Sequence, residues 1–279
     1  MAPRATGPMV PAAATWVHRT DRVTVDGLER TYVLVRPAQA SPTKMPVLVV
    51  LHGRNMTPAG AEELTSFLPV VGPAIVVYPE GFGRSWNAGA CCGEAHAMGT
   101  DDVAFVEAVV HRTLQTERDA SSHGVYLAGY SNGGRMAFRL ACEAPQLFAG
   151  VAAVEAVSVY SCAHPKPVSL VEVASSDDPL LAVDAHRPEK VVNGFREPTV
   201  DHLVAQWRQT DGCPGAGRTT VLGTLTQTSW SSCKGGTRLA YALYAGGTHA
   251  WPRGDADTPS AERVVWSFFR NRPLPPPNG

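Results

Sequence analysis

The sequence predicts a single α/β domain, a mostly parallel sheet with helices on both faces. Three observations point there. Short apolar runs recur as buried strands and alternate with segments of helical period. One such run, Gly124-Val125-Tyr126-Leu127-Ala128, passes at once into a glycine-bracketed serine and a helix-like stretch from Gly134 to Leu140. The 279 residues, 44% of them hydrophobic, suffice for one sizeable core.

The elements follow in order. Val23-Thr24-Val25 and the run from Arg30 to Val35 form an opening hairpin, with Asp26-Gly27 as its turn. Pro46-Val47-Leu48-Val49-Val50-Leu51 is an apolar strand leading into His52-Gly53-Arg54, and Ala74-Ile75-Val76-Val77-Tyr78 is the next. From Asp101 to Leu114 the apolar residues fall at helical spacing. Asp101 and Asp102 open that helix and are read as its acidic N-cap and first turn, not as a catalytic carboxylate pair. Val168 to Val173 and Leu239 to Tyr244 are further strands, and Thr219 to Leu222 is a short β-like excursion. Residues 1–20 are expected to be a disordered or processed tail, 21–271 the catalytic domain and 272–279 a proline-rich tail.

Gly129-Tyr130-Ser131-Asn132-Gly133 carries the chemistry. Between a strand and a helix, Gly-x-Ser-x-Gly makes a sharp turn that lifts the serine hydroxyl above the sheet edge. A serine hydroxyl is a poor nucleophile until a base takes its proton, and the base needs a carboxylate to hold its tautomer. Downstream, one strand ends in Ser175-Ser176-Asp177-Asp178-Pro179 and another in Gly246-Gly247-Thr248-His249-Ala250-Trp251. Both candidates thus follow the carboxyl end of a strand, where open α/β sheets place their sites. Ser131 is the candidate nucleophile, His249 the base and Asp178 or Asp177 the acid. The loop at Gly53-Arg54 and the amide of Asn132 are candidates for an oxyanion hole, and His52 is read as a structural loop histidine.

His52-Gly53, Tyr78-Pro79-Glu80-Gly81, Trp86-Asn87-Ala88-Gly89-Ala90-Cys91-Cys92-Gly93, Asp101-Asp102-Val103, the serine motif and Gly247-Thr248-His249-Ala250-Trp251-Pro252 together resemble the polyhydroxybutyrate depolymerase and feruloyl esterase family of secreted α/β-hydrolases. The resemblance runs over roughly residues 25–270. It implies an α/β-hydrolase fold and a serine esterase in which Ser131 is the nucleophile, His249 the base and the Arg54 and Asn132 backbone amides the oxyanion donors. Members of the family carry His-Gly ahead of the acid loop where this chain has Ala174-Ser175, so Asp178 is favoured over Asp177 without Asp177 being excluded. Trp86 and Trp251 stand near the site in the family pattern, either as aromatic substrate contacts or as packing beneath the loops.

A net charge of −1 provides no basic field for nucleic acid or anionic lipid, and no apolar run approaches the ~18 residues of a membrane span. The expected partner is an ester substrate, acted on by a monomer without metal or organic cofactor. Six cysteines, at 91, 92, 142, 162, 213 and 233, match no zinc spacing and read as disulfides of an oxidising compartment. Cys213 with Cys233 is the natural local pair. Cys91 and Cys92, which could bridge each other only in a strained ring, are expected to take Cys142 and Cys162 in an open order, the alternative being a buried free thiol at Cys142. Secretion is therefore expected, with a leader already removed, because residues 1–16 lack the apolar core of a signal peptide.

For the substrate, hydroxyalkanoate or similar aliphatic polyesters are preferred. Feruloyl or acetyl esters of plant polysaccharide and acyl transfer on the same fold are the alternatives. The intact Ser, Asp and His argue against a non-catalytic binding module.

Overall fold

The computed structural model describes residues 15–187 and 190–273. The chain opens with an antiparallel pair, β1 (Trp16–Val25) and β2 (Leu28–Pro37). Asp26 and Gly27 make the expected turn between them, both at positive φ (50° and 77°), as the twist of a two-residue hairpin requires. β1 starts inside the segment expected to be a tail. Its first residues show no apolar stripe because it is the outermost strand and leaves most side chains in solvent. Residues 1–14 and 274–279, the greater part of both expected tails, lie outside the described residues.

There follow β3 (Met45–Leu51), α1 (Pro58–Thr65), α2 (Leu68–Val71), β4 (Ile75–Pro79), α3 (Gly93–Met98), α4 (Asp102–Thr116), β5 (Ala120–Tyr130), α5 (Asn132–Glu143), β6 (Gly150–Val154) and β7 (Leu170–Ser175). Beyond the two-residue strands β8 (Val191–Val192) and β9 (Phe195–Arg196) come α6 (Val200–Thr210), the hairpin of β10 (Arg218–Leu222) and β11 (Leu225–Trp230), then β12 (Leu239–Tyr244) and α7 (Ala261–Phe269).

Ten strands form one sheet in the order β1-β2-β4-β3-β5-β6-β7-β12-β11-β10. From β4 to β12 the neighbours run parallel, and antiparallel hairpins extend both edges. β3, β4, β6 and β7 are buried along their whole length, so they are written as near-continuous apolar runs rather than alternating ones. One face packs on Phe105, Met136, Phe138, Leu203 and Trp207 from α4, α5 and α6. The other packs on Ala61, Val71, Val264, Trp266 and Phe269 from α1, α2 and α7.

The acidic pair before α4 is structural, as expected. Asp101 caps the helix, accepting from the Ala104 amide at 2.9 Å. Asp102 is fully buried and accepts from Arg30 Nη2 (2.9 Å), the Asn87 amide (2.7 Å) and the Thr100 hydroxyl (3.1 Å). It thereby ties β2 to the loop that carries Trp86.

All six cysteines are paired, and Cys213–Cys233 is the expected bridge. The other two bridges correct the expectation. Cys142 on α5 lies with its Cα 5.7 Å from that of Cys162, the separation a disulfide needs, and the two bond to each other. Cys91 and Cys92 are thereby left to one another and form a vicinal bridge rather than reaching elsewhere.

Candidate active site

Ser131 sits between β5 and α5 with φ 52° and ψ −115°, a backbone conformation rarely taken by a residue with a side chain. The neighbouring glycines make the turn possible. A Cβ on Gly129 would lie 2.1 Å from the Gly133 carbonyl oxygen, and one on Gly133 would lie 2.3 Å from that of Leu51. The second contact also shows how closely the start of α5 approaches the end of β3, where the His52-Gly53-Arg54 loop begins.

The three candidate residues come together from three strand ends. Ser131 Oγ lies 2.7 Å from His249 Nε2, and His249 Nδ1 lies 2.7 Å from Asp178 Oδ2. Asp178 is fully buried, and its Oδ1 accepts from the Leu180 amide at 2.6 Å. Burial works against its charge, but hydrogen bonds from His249, Glu155 and the Leu180 amide outweigh it and hold the carboxyl below the usual carboxylate range. Asp177 turns outward, its side chain 68% exposed and 3.7 Å from Arg187. The geometry therefore places Asp178, not Asp177, behind the histidine. With Nδ1–H donating to a carboxylate, Nε2 is free to accept the serine proton.

The two backbone amides named as candidate oxyanion donors are both unengaged: among the described residues, no protein acceptor meets the amide N–H of Arg54 or Asn132. His52 is buried, its Nε2 accepting from the Gly81 amide at 2.9 Å, so Nδ1 carries the proton and donates to the Gly53 carbonyl at 2.8 Å. Burial lowers its pKa and keeps the ring neutral. This is the structural loop role expected of it.

The two tryptophans correct the idea of aromatic substrate contacts. Trp86 is fully buried, its indole N–H donating to the His52 carbonyl at 2.9 Å, with Phe105 stacked at 6.3 Å. Trp251 is 2% exposed, donates to Glu262 Oε2 at 2.9 Å and packs edge-on against Phe67. Both hold loops from beneath.

Two residues escaped the sequence reading. Tyr130, the variable position before the serine, donates from its hydroxyl to the His249 carbonyl at 2.9 Å, with its ring 5.7 Å from the imidazole. Burial pushes its pKa up to about 12, so it remains a donor. Glu155, the residue after β6, stands behind Asp178: ligand atoms of Glu155, Asp178 and His249 all lie within 4.8 Å of one another. Such a group could suit a cation, but His249 Nδ1 carries the proton it donates to Asp178, so it offers no lone pair there, and the same bond takes up the Asp178 oxygen. A groove of about 1060 Å³ lined by Tyr160, Phe195, Glu197 and Trp207 includes none of the three candidate residues.

Residues 30–216 match the family described as esterase PHB depolymerase. The chain belongs to that family. NocK of Nocardia uniformis subsp. tsuyamanensis, assigned as an esterase, is 30% identical over 263 residues, covering 83% of this chain and 73% of its own. Feruloyl esterase B of Piromyces equi is 25% identical over 214 residues, covering 72% of this chain but only 37% of that protein. Among solved structures, an acetyl xylan esterase from Aspergillus awamori superimposes with a TM-score of 0.61 at 15% identity, covering 83% of this chain and 94% of that one. A feruloyl esterase module from Clostridium thermocellum does so at 0.54 and 12%, covering 87% and 84%. These structures share the α/β-hydrolase fold. With the family and the fold established, the protein is a serine ester hydrolase. No described helix of this esterase is long and apolar enough to cross a membrane.

Proposed function

We propose that this esterase works through an acyl-enzyme on Ser131, with His249 as base and Asp178 as its carboxylate partner. The unbroken hydrogen-bonded line from Ser131 Oγ through His249 to Asp178 carries this reading. Ser131 Oγ attacks the ester carbonyl carbon as His249 Nε2 takes its proton, and the amides of Arg54 and Asn132 hold the oxyanion. The ester C–O bond then breaks, and Nε2 returns the proton to the leaving alkoxide. Water attacks the acyl-enzyme by the same route, releasing the acid and restoring Ser131.

The proposed substrate is a short acyl ester on a polymer, of the hydroxyalkanoate polyester kind. The family description supports this class. So does the openness of the site, since Ser131 and His249 both keep solvent contact, as a bulky chain requires. The names of the feruloyl esterase relatives favour a second reading, hydroxycinnamoyl esters of polysaccharide. The three disulfides support a secreted enzyme. Purified enzyme given a hydroxybutyrate oligomer and methyl ferulate in parallel decides between the two classes. The polyester reading expects turnover of the oligomer, and hydrolysis of methyl ferulate alone would replace it with the second.

A further inference from the structure

Glu155 is 1% exposed and held in the left-handed region at φ 50°, a conformation unfavourable for a residue with a side chain. Its amide is fixed to the Val173 carbonyl at 2.8 Å. The main chain thus spends conformational energy to aim this carboxyl between β6 and β7. There Ser175 meets both oxygens, its hydroxyl donating to Oε1 at 2.5 Å and its amide to Oε2 at 3.2 Å. Asp178 and His249 lie beyond, within the same 4.8 Å group.

Among the described residues, the groups around Glu155 include no fixed cation. Tyr130 faces it from β5, Glu172 and Ser175 from β7, Tyr244 from β12, and Asp178 and His249 from the loops after β7 and β12. Arg135 on α5 is drawn to Glu197 at 2.6 Å and feels Asp178, not Glu155. Glu172 is itself fully buried, with no hydrogen-bond partner among the described residues. A second negative charge beside Asp178 would therefore be buried and uncompensated, and two carboxyls sharing one site do not both ionise. Both carboxyls accept from an amide, but Asp178 is the one bonded to His249, so it keeps the charge and the proton stays on Glu155. Burial, followed by the hydrogen bond with Asp178, accordingly drives the Glu155 carboxyl far above the carboxylate range.

We propose that Glu155 is a positioning residue, a neutral carboxylic acid that donates a hydrogen bond to the Asp178 carboxylate, so that the acid behind His249 is half of a carboxylic acid–carboxylate pair. This rests on Asp178 being the acid of the proposed mechanism. The donor holds the Asp178 plane toward His249 Nδ1 and moderates its basicity. Turnover leaves its proton in place, and no bond to Glu155 forms or breaks.

The test is the pH profile of kcat/KM for wild type, Glu155→Gln, Glu155→Ala and Asp178→Asn, with KM and kcat separated and folding checked by thermal melting. The amide of Glu155→Gln is neutral and can still donate to Asp178. That variant should keep its acidic limb within about 0.3 pH unit of wild type and its kcat within a few-fold. Glu155→Ala should lose on the order of 10- to 100-fold in kcat with KM little changed and its acidic limb displaced upward, because Asp178 loses a donor and becomes more basic. A Glu155→Gln limb about a unit or more lower would show that a buried negative charge had been removed, and would overturn the proposal. So would a Gln variant as slow as the Ala variant, or an Ala variant indistinguishable from wild type. If Glu155→Ala does not fold, the Gln variant decides alone. Near wild-type activity in Asp178→Asn would instead remove the underlying assignment of Asp178, a failure separate from that of Glu155.

Discussion

Asn132 and Trp86 are joined by a reciprocal pair of hydrogen bonds: the Trp86 amide donates to Asn132 Oδ1 at 2.8 Å, and Asn132 Nδ2 donates back to the Trp86 carbonyl at 3.0 Å. The first residue of α5 thereby clamps the loop after β4, while the Trp86 indole clamps the His52 carbonyl after β3. The two amides proposed as oxyanion donors, Arg54 and Asn132, are thus fastened to each other through one buried tryptophan.

Breaking that clamp should show in both stability and rate. Asn132→Ala leaves the buried Trp86 amide without an acceptor, at about 1–3 kcal/mol if nothing relaxes, while the Trp86 carbonyl keeps the Cys92 amide at 3.0 Å. It retains the residue 132 amide but frees the loop opposite, so kcat should fall on the order of 10-fold or more. Melting curves together with steady-state kinetics check this, and a variant that loses neither stability nor kcat would show that the clamp has no role.

Trp251→Phe should lower stability by about 1–3 kcal/mol, because it removes buried volume and the Glu262 hydrogen bond. Its KM for short esters should stay within a few-fold of wild type, since the indole does not reach the open side of the site. A tenfold rise in KM at unchanged melting temperature would return Trp251 to the substrate.

Much of this arrangement is legible in the sequence. The buried strands announce themselves as apolar runs, and the serine motif is confirmed by what flanks it. The order Ser131, Asp178, His249 follows from each lying after a strand. Other features carry no local signal. Glu155 is a lone acid after Gly150-Val151-Ala152-Ala153-Val154, and its position becomes meaningful only when β6 lies beside β7. Tyr130 occupies a variable position of its motif. The choice between Asp178 and Asp177 depends on which way a turn faces, and the cysteine pairing on a Cα separation across twenty residues of chain. Trp251 is two residues from His249 in sequence and Trp86 stands near the site in the family pattern, yet both lie beneath it, a distinction of depth that spacing does not encode.

Asp211, at the C-terminal end of α6, makes stability depend on pH. It is fully buried and accepts from the Val168 amide at 3.2 Å, and burial pushes its pKa up to about 7. Between the ordinary carboxylate value of about 4 and pH 7 the folded chain holds this proton while the unfolded chain releases it, so this group's contribution to stability declines as pH rises through that window. Asp211→Asn should therefore melt a few degrees above wild type at pH 8, with the gap closing toward pH 4. Equal melting temperatures at both ends would contradict the assigned proton.

The most direct test of the central claim is intact-mass and peptide analysis after a fluorophosphonate probe, run beside ester kinetics on Ser131→Ala. The proposed mechanism predicts a single adduct on the peptide containing Ser131, no adduct in Ser131→Ala, and a loss of turnover on the order of 10⁵- to 10⁶-fold in that variant with its fold intact. An adduct on another residue, or near wild-type hydrolysis by Ser131→Ala, would contradict it.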